Sequence, residues 1–218
     1  MMKLAFIIPA YNEEPRVGAT VAKLKPYSNF IIVANDCSTD RTSEVAKKAG
    51  AIVVDHETNK GYDSALNSGF KMARSLGCTH IITFDADGQH PAHQVPQYIN
   101  GFESGNKMVL GIRPKTQRLS ETIFGLYTKI RFKVADPLCG MKGFDLTFLD
   151  SNLKDVIEFD TFKSTNTELM LRFLKAHAPF IQLKIDIEDR GESVSRFGSV
   201  IKGNYRILKS MVKGIFHV

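Results

Sequence analysis

The sequence predicts an α/β domain with a mostly parallel central sheet flanked by helices. Two observations carry that prediction. Short continuous apolar runs alternate with segments of helical periodicity through the first 84 residues, and such alternation builds a parallel sheet covered by helices. Each apolar run also ends in a polar loop, at residues 9–13, 35–40, 59–61 and 85–90. Ligands of open α/β sheets bind beyond the carboxyl ends of the strands, so these loops are expected to share one rim.

Residues 4–8 form an apolar run ending at Pro9, and Val17, Val21 and Leu24 then recur at helical spacing, with Pro15 suited to a first helical turn. Residues 30–34 read as a strand, and residues 42–49 as a helix closed by Gly50. Residues 51–54 begin a third unit, whose helix carries Leu66, Phe70 and Ala73 on one face and stops near Gly77 before a strand at 80–84. A strand is predicted at 108–112, a helix near 119–133, an irregular stretch at 136–143 and a helix near 168–176. Ile181, Leu183, Ile185 and Ile187 alternate with polar residues, the period of a strand with one wet face.

A chain of 218 residues with 43% hydrophobic and 24% charged content is long enough for one substantial core. The formal charge of +6 suits an anionic partner, while no nucleic-acid-binding module is recognisable. Cys37, Cys78 and Cys139 are odd in number and lack CxxC spacing, against both a disulfide framework and a zinc site, so a reducing, cytoplasmic compartment is expected. Residues 1–8 run from Met-Met-Lys directly into a strand without a leader pattern, and no apolar stretch reaches membrane-spanning length, so any membrane contact is expected to be peripheral.

Asp85 and Asp87 follow an apolar strand at once, and in extended backbone two residues separated by one point to the same side. Two carboxylates so placed suit a hard cation such as Mg²⁺ or Mn²⁺, which bridges carboxylate to substrate phosphate. Taken alone, the triplet is as readily an acidic turn.

The order of the loops supplies context. Ile8-Pro9-Ala10-Tyr11-Asn12-Glu13, Asn35-Asp36-Cys37-Ser38-Thr39-Asp40, Asn59-Lys60-Gly61 and Asp85-Ala86-Asp87-Gly88-Gln89-His90-Pro91 together resemble family-2 glycosyltransferases. Gln89-His90-Pro91 and Arg190-Gly191-Glu192-Ser193 point to the branch of dolichol-phosphate mannose synthases and other polyprenyl-phosphate glycosyltransferases. The resemblance implies a GT-A fold, a single Rossmann-like nucleotide-binding domain over residues 1–198. It also implies a GDP- or UDP-linked sugar donor, inversion at the anomeric carbon and a polyprenyl-phosphate acceptor.

Carried over by position, Pro9, Tyr11, Glu13 and Lys60 would line the donor pocket, and Asp36 would contact base or ribose. Asp85, Ala86 and Asp87 would meet the diphosphate and metal, and Gln89 would reach toward sugar or acceptor. Arg113, Arg118 and Arg190 would face phosphate oxygens, for which guanidinium forks are suited. The family usually places two acids where this chain has Asn35 before Asp36, and Asn carries no charge.

Asp136-Pro137-Leu138-Cys139-Gly140 resembles the family's Asp-x-x-x-Gly loop beneath the acceptor. Cys139 reads as a small apolar filler rather than a nucleophile. Thr165-x-x-Glu168 reads as a capping box in which Glu reaches back to a backbone N–H. A phosphate acceptor is already largely anionic at neutral pH and needs no strong base, whereas a glycan or small hydroxyl acceptor needs a carboxylate such as Asp136 or Glu168. A pseudoenzyme that binds nucleotide sugar is the reading from a different class.

Residues 199–218 form a basic amphipathic segment, with Ile201, Tyr205, Leu208, Val212 and Ile215 on one stripe and Lys202, Arg206, Lys209 and Lys213 on another. Such a helix lies on the cytoplasmic face of a membrane, meets a membrane-protein partner, or packs on its own domain or on a second subunit in a homodimer.

Overall fold

The architecture is that of a computed structural model, which describes residues 2–114, 119–153 and 164–187. Strand β1 (Leu4–Ala10) is buried along its whole length. Ala5 and Ile7 face one hydrophobic cluster while Leu4, Phe6 and Ile8 face another. A strand covered on both faces must be apolar at every position, which is why it reads as a continuous run rather than an alternation.

The elements follow as α1 (Glu14–Leu24), β2 (Phe30–Asn35), α2 (Thr42–Lys48), β3 (Ile52–Asp55), α3 (Tyr62–Ser75), β4 (His80–Thr83), α4 (Val95–Glu103) and β5 (Met108–Ile112). Then come α5 (Leu119–Phe132), β6 (Lys142–Asp145), α6 (Leu146–Asn152), α7 (Thr165–Lys175) and β7 (Phe180–Lys184). The seven strands lie in the order β3-β2-β1-β4-β6-β5-β7. β1 pairs in parallel with β2 and β4, and β2 with β3. β6 runs antiparallel between β4 and β5, whereas β5 and β7 are parallel. The strand order therefore diverges on either side of β1, which opens a crevice at its carboxyl end.

Val17, Val21 and Leu24 of α1 and Val95, Tyr98 and Phe102 of α4 cover one face of the sheet. Leu66, Phe70 and Ala73 of α3 and Leu169 and Phe173 of α7 cover the other. Each such aliphatic or aromatic side chain contributes roughly 1.5–3 kcal/mol on full burial. Gly69 lets α3 press onto β1, because a Cβ there would collide with Ile7.

Four elements depart from the sequence expectation. Residues 136–143 were expected to be irregular, but their end enters β6, whose four residues Lys142–Asp145 include two charges and a glycine. Helices α4 and α6 were not anticipated. The strand expected through Ile187 ends at Lys184, and Ile181 is 38% exposed because β7 is an edge strand. Arg118, Arg190 and the segment 199–218 lie outside the described residues.

Candidate active site

Two loops at the carboxyl ends of β1 and β2 are stitched together by side chains. Asn12 adopts a φ of 52°, its N–H donates to Ser38 Oγ at 2.9 Å, and its Oδ1 accepts from the Thr39 N–H at 2.8 Å. The Glu13 N–H donates to Thr42 Oγ1 at 2.8 Å. Asn and Asp tolerate left-handed backbone and bond to nearby amides, so the pair of polar loops is self-ordering. Of the residues assigned to the donor pocket, Tyr11 stands 39% exposed on this rim. Pro9 is buried within β1, and Glu13 receives the Arg16 guanidinium at 3.3 Å at the start of α1.

Asp36 turns inward. Its Oδ1 accepts from the Lys60 N–H at 2.8 Å and lies 2.8 Å from His56 Nδ1, while Oδ2 accepts from the Gly61 N–H at 2.7 Å. Gly61 is at φ 91°, a backbone conformation suited to glycine, and leads directly into α3. A carboxylate at a helix N-terminus satisfies donors that have no intrahelical partner. Both oxygens of Asp36 hold the loop that carries Lys60, whose side chain is exposed. The Asn35 side-chain amide donates to Asp55 Oδ1 at 2.8 Å.

The triplet after β4 lies in a turn rather than in extended backbone. Ala86 is 4% exposed and packs in the core, with its carbonyl 3.4 Å from Thr20 Oγ1. Asp85 and Asp87 on either side of it are half-buried at the rim. Asp85 is braced on three sides. Its Oδ1 accepts from the Tyr62 hydroxyl at 3.1 Å, its N–H donates to His90 Nδ1 at 2.9 Å, and its Oδ2 lies 3.3 Å from His90 Nε2. A Cβ on Gly140 would stand 2.7 Å from Asp85 Oδ2, so only glycine leaves the carboxylate its place. Asp87 Oδ1 accepts from the Gln89 N–H at 3.0 Å, a local turn that Gly88 at φ 80° permits.

The 136–140 loop approaches from below. Thr83 Oγ1 donates to the Gly140 carbonyl at 2.5 Å and accepts from the Lys142 N–H at 3.1 Å, which pins the loop to the end of β4. Asp136 is 4% exposed and forms a two-pronged pair with Arg113, Oδ2 to Nε at 2.8 Å and Oδ1 to the terminal nitrogen at 2.9 Å. Glu121 takes the same guanidinium at 3.0 Å. Burial opposes ionisation of Asp136, but Arg113 outweighs it and holds the carboxyl below its ordinary value.

Arg113 thus meets two buried acids, and a carboxylate paired in this way is a weak base.

The ordered rim, its braced acidic triplet and the glycine beneath it occur in a chain whose residues 5–149 match the model of glycosyl transferase family 2. The chain belongs to that family. It is 32% identical over 228 residues to Uncharacterized protein MJ1222 of Methanocaldococcus jannaschii, covering 96% of this chain and 91% of that protein. It is 35% identical over 132 residues to the UDP-N-acetylglucosamine--dolichyl-phosphate N-acetylglucosaminyltransferase of Methanococcus voltae, covering 51% of this chain and 52% of that protein. Among solved structures, glucosyl-3-phosphoglycerate synthase from Mycobacterium tuberculosis superposes with a TM-score of 0.74 at 16% identity, covering 99% of this chain and 79% of that one. The fold is GT-A.

Several residues of this glycosyltransferase that shape the site escaped the sequence reading. Tyr62 and Lys142 carry no local motif. Lys142 is 1% exposed, with its ammonium 2.5 Å from the Cys139 carbonyl, and burial depresses its pKa. Cys139 is fully buried, and burial pushes its thiol up to about 12, in keeping with a filler.

Asp63, at the start of α3, accepts from the Thr165 N–H at 2.8 Å, and burial together with the nearby Glu168 charge raises its carboxyl to about 6. Glu168 reaches back to a backbone N–H as expected, but to that of Ser164 at 3.1 Å, one residue earlier than the capping box predicted. The Thr165 hydroxyl instead donates to Asn67 Oδ1 at 2.7 Å.

Proposed function

We propose that this glycosyltransferase moves a sugar from a GDP- or UDP-linked donor to a polyprenyl phosphate with inversion, using Mg²⁺ or Mn²⁺ held by Asp85 and Asp87. The reading is supported chiefly by how the acids of the site are spent. Asp36 and Asp136 are buried and held by backbone amides or Arg113, whereas Asp85 and Asp87, which also accept hydrogen bonds, are half-exposed at the rim. Their oxygens form the hard donor set that a cation shared with a diphosphate requires. Such an ion, when bound, neutralises charge on the departing diphosphate.

Tyr62 and His90 orient Asp85, the Asp87 turn presents Gln89 to the crevice, and Tyr11 lines its edge. An acceptor phosphate oxygen attacks the anomeric carbon from the face opposite the diphosphate. The carbon–oxygen bond to the diphosphate breaks, and the nucleoside diphosphate leaves. Because a phosphate monoester is already anionic near neutral pH, no side chain needs to take a proton. Catalysis then rests on positioning and electrostatics. The dolichyl-phosphate activity in the name of the Methanococcus voltae relative accords with this acceptor.

The test is a panel of GDP- and UDP-sugars with Mn²⁺ or Mg²⁺, with and without a short-chain polyprenyl phosphate. Turnover that needs both the metal and the prenyl phosphate is expected, and Asp87→Ala should abolish it while leaving the circular dichroism spectrum unchanged. Full activity in that variant, or turnover only with hydroxyl acceptors, overturns the proposal.

A further inference from the structure

Large hydrophobic side chains exposed among the described residues are Tyr11, Tyr62, Ile123, Leu126, Ile130 and Ile181. Tyr11 and Tyr62 belong to the rim, and Ile181 lies on an edge strand. The other three all fall on α5, at exposures of 47%, 59% and 69%. Spaced i, i+3 and i+7, they form one stripe.

The opposite face of α5 is the one that meets the protein. Phe124 and Thr128 are fully buried there, and Glu121, 5% exposed, takes Arg113. The helix thus puts its acid inside and its aliphatic residues outside, the reverse of a surface helix in water.

Charge completes the pattern. Lys129 flanks the stripe on one side and Arg131 on the other, Lys133 follows the last residue of the helix, and all three are exposed. Glu121 is the only acid in residues 119–133, so the outward face is apolar at its centre and cationic at its borders. Apolar side chains entering the acyl boundary with cations at headgroup level is what an anionic lipid surface selects.

We infer that α5 is a docking face for anionic lipid. Helix and site are mechanically close. Gly125 lies tightly on the following loop, where a Cβ would come 3.2 Å from the Ala135 carbonyl, and that loop ends at Gly140 against Asp85. Docking through α5 would hold the crevice at the level of a lipid-linked phosphate. In purpose this deepens the polyprenyl-phosphate reading and rests on it, but binding is measured without acceptor.

The experiment is flotation of the full chain with phosphatidylcholine vesicles with or without phosphatidylglycerol, alongside transfer assays on a water-soluble short-chain prenyl phosphate. The chain should float with phosphatidylglycerol. The combined Ile123→Ser, Leu126→Ser and Ile130→Ser variant should lose at least about tenfold in partitioning. Lys129→Gln and Lys133→Gln should each lower the preference for phosphatidylglycerol about fivefold. Transfer to the soluble acceptor should be unchanged in all of these variants.

Undiminished flotation of the triple-serine variant overturns the inference. So does loss of flotation only on deletion of residues 199–218, or a dimer by sedimentation that the serine variant converts to monomer without change in flotation. Absence of transfer to any prenyl phosphate by the wild-type chain, with flotation intact, sinks the acceptor reading and leaves the docking face standing.

Discussion

His90 grips Asp85 at two points, accepting its backbone N–H at Nδ1, 2.9 Å away, and holding Nε2 3.3 Å from its carboxylate. The first contact fixes the neutral tautomer, since Nδ1 must be the acceptor and Nε2 carries the proton. His90 is 4% exposed and stands edge-on to Phe84 with ring centroids 5.2 Å apart, so it is locked in place. Groups that orient a metal-binding carboxylate cost roughly 10–100-fold in affinity or activity when lost. With Asp85 holding the metal as proposed, His90→Ala should raise the Mn²⁺ concentration that half-saturates turnover by about that factor. An unchanged metal titration would separate His90 from the function of Asp85.

Gly140→Ala tests the same carboxylate from the other side. The added methyl would press on Asp85 Oδ2 at 2.7 Å and on His90 Cε1 at 3.0 Å, while Thr83 keeps the backbone from retreating. A displacement of about 1 Å in a catalytic group costs on the order of 100-fold in rate. The variant should therefore fold with a near-native melting temperature and lose about two orders of magnitude in kcat. Retained kcat would mean that Asp85 tolerates the shift.

The Arg113–Asp136 pair carries a prediction for stability. Removing one partner of a buried pair leaves an uncompensated charge and costs about 3–5 kcal/mol. Arg113→Ala should lose that much in urea unfolding, and Asp136→Asn somewhat less because the amide still accepts a hydrogen bond. Since the folded pKa of Asp136 lies below its ordinary value, its contribution is present at neutral pH. It is lost as pH falls below about 4 and through the depressed folded value.

Asp63 has the opposite sign. Its carboxyl rises from 3.8 to about 6, so the folded state binds more protons than the unfolded state between those values. Stability from this group is complete below 3.8 and declines as pH rises through about 6. Asp63→Asn keeps an acceptor for the Thr165 N–H and removes the charge. It should flatten the pH dependence of urea unfolding between pH 4 and 6 and stabilise the protein at pH 7 by roughly 1–3 kcal/mol. An unaltered pH profile would show that Asp63 ionises freely in the native protein.

The parallel half of the fold was legible because its physics is local. β1, β2 and β4 are covered on both faces, so burial forces unbroken apolar runs, and the loops after them must be polar to satisfy their own backbone. β6 was not legible. Its Lys142 and Asp145 are buried, with the Lys142 N–H on Thr83 and the Asp145 carboxylate on Lys107, both distant in sequence, so four residues with two charges read as a loop. The exposed stripe of α5 was equally hidden, because periodicity marks an apolar face without saying whether it points inward or outward.

The sequence by itself determined the alternation of strand and helix, the four rim loops, the family, and the presence of Asp85 and Asp87 on one loop. Only the tertiary structure decided which acids are buried and which stand at the rim. Asp36, Asp85, Asp87 and Asp136 look alike in one dimension. What separates them is the company each keeps: the α3 N-terminus for Asp36, Arg113 for Asp136, and the Tyr62–His90 brace that leaves Asp85 at the crevice beside Asp87. A carboxylate's role depends on its donors and its access to water, and most of the donors here come from elements far away along the chain.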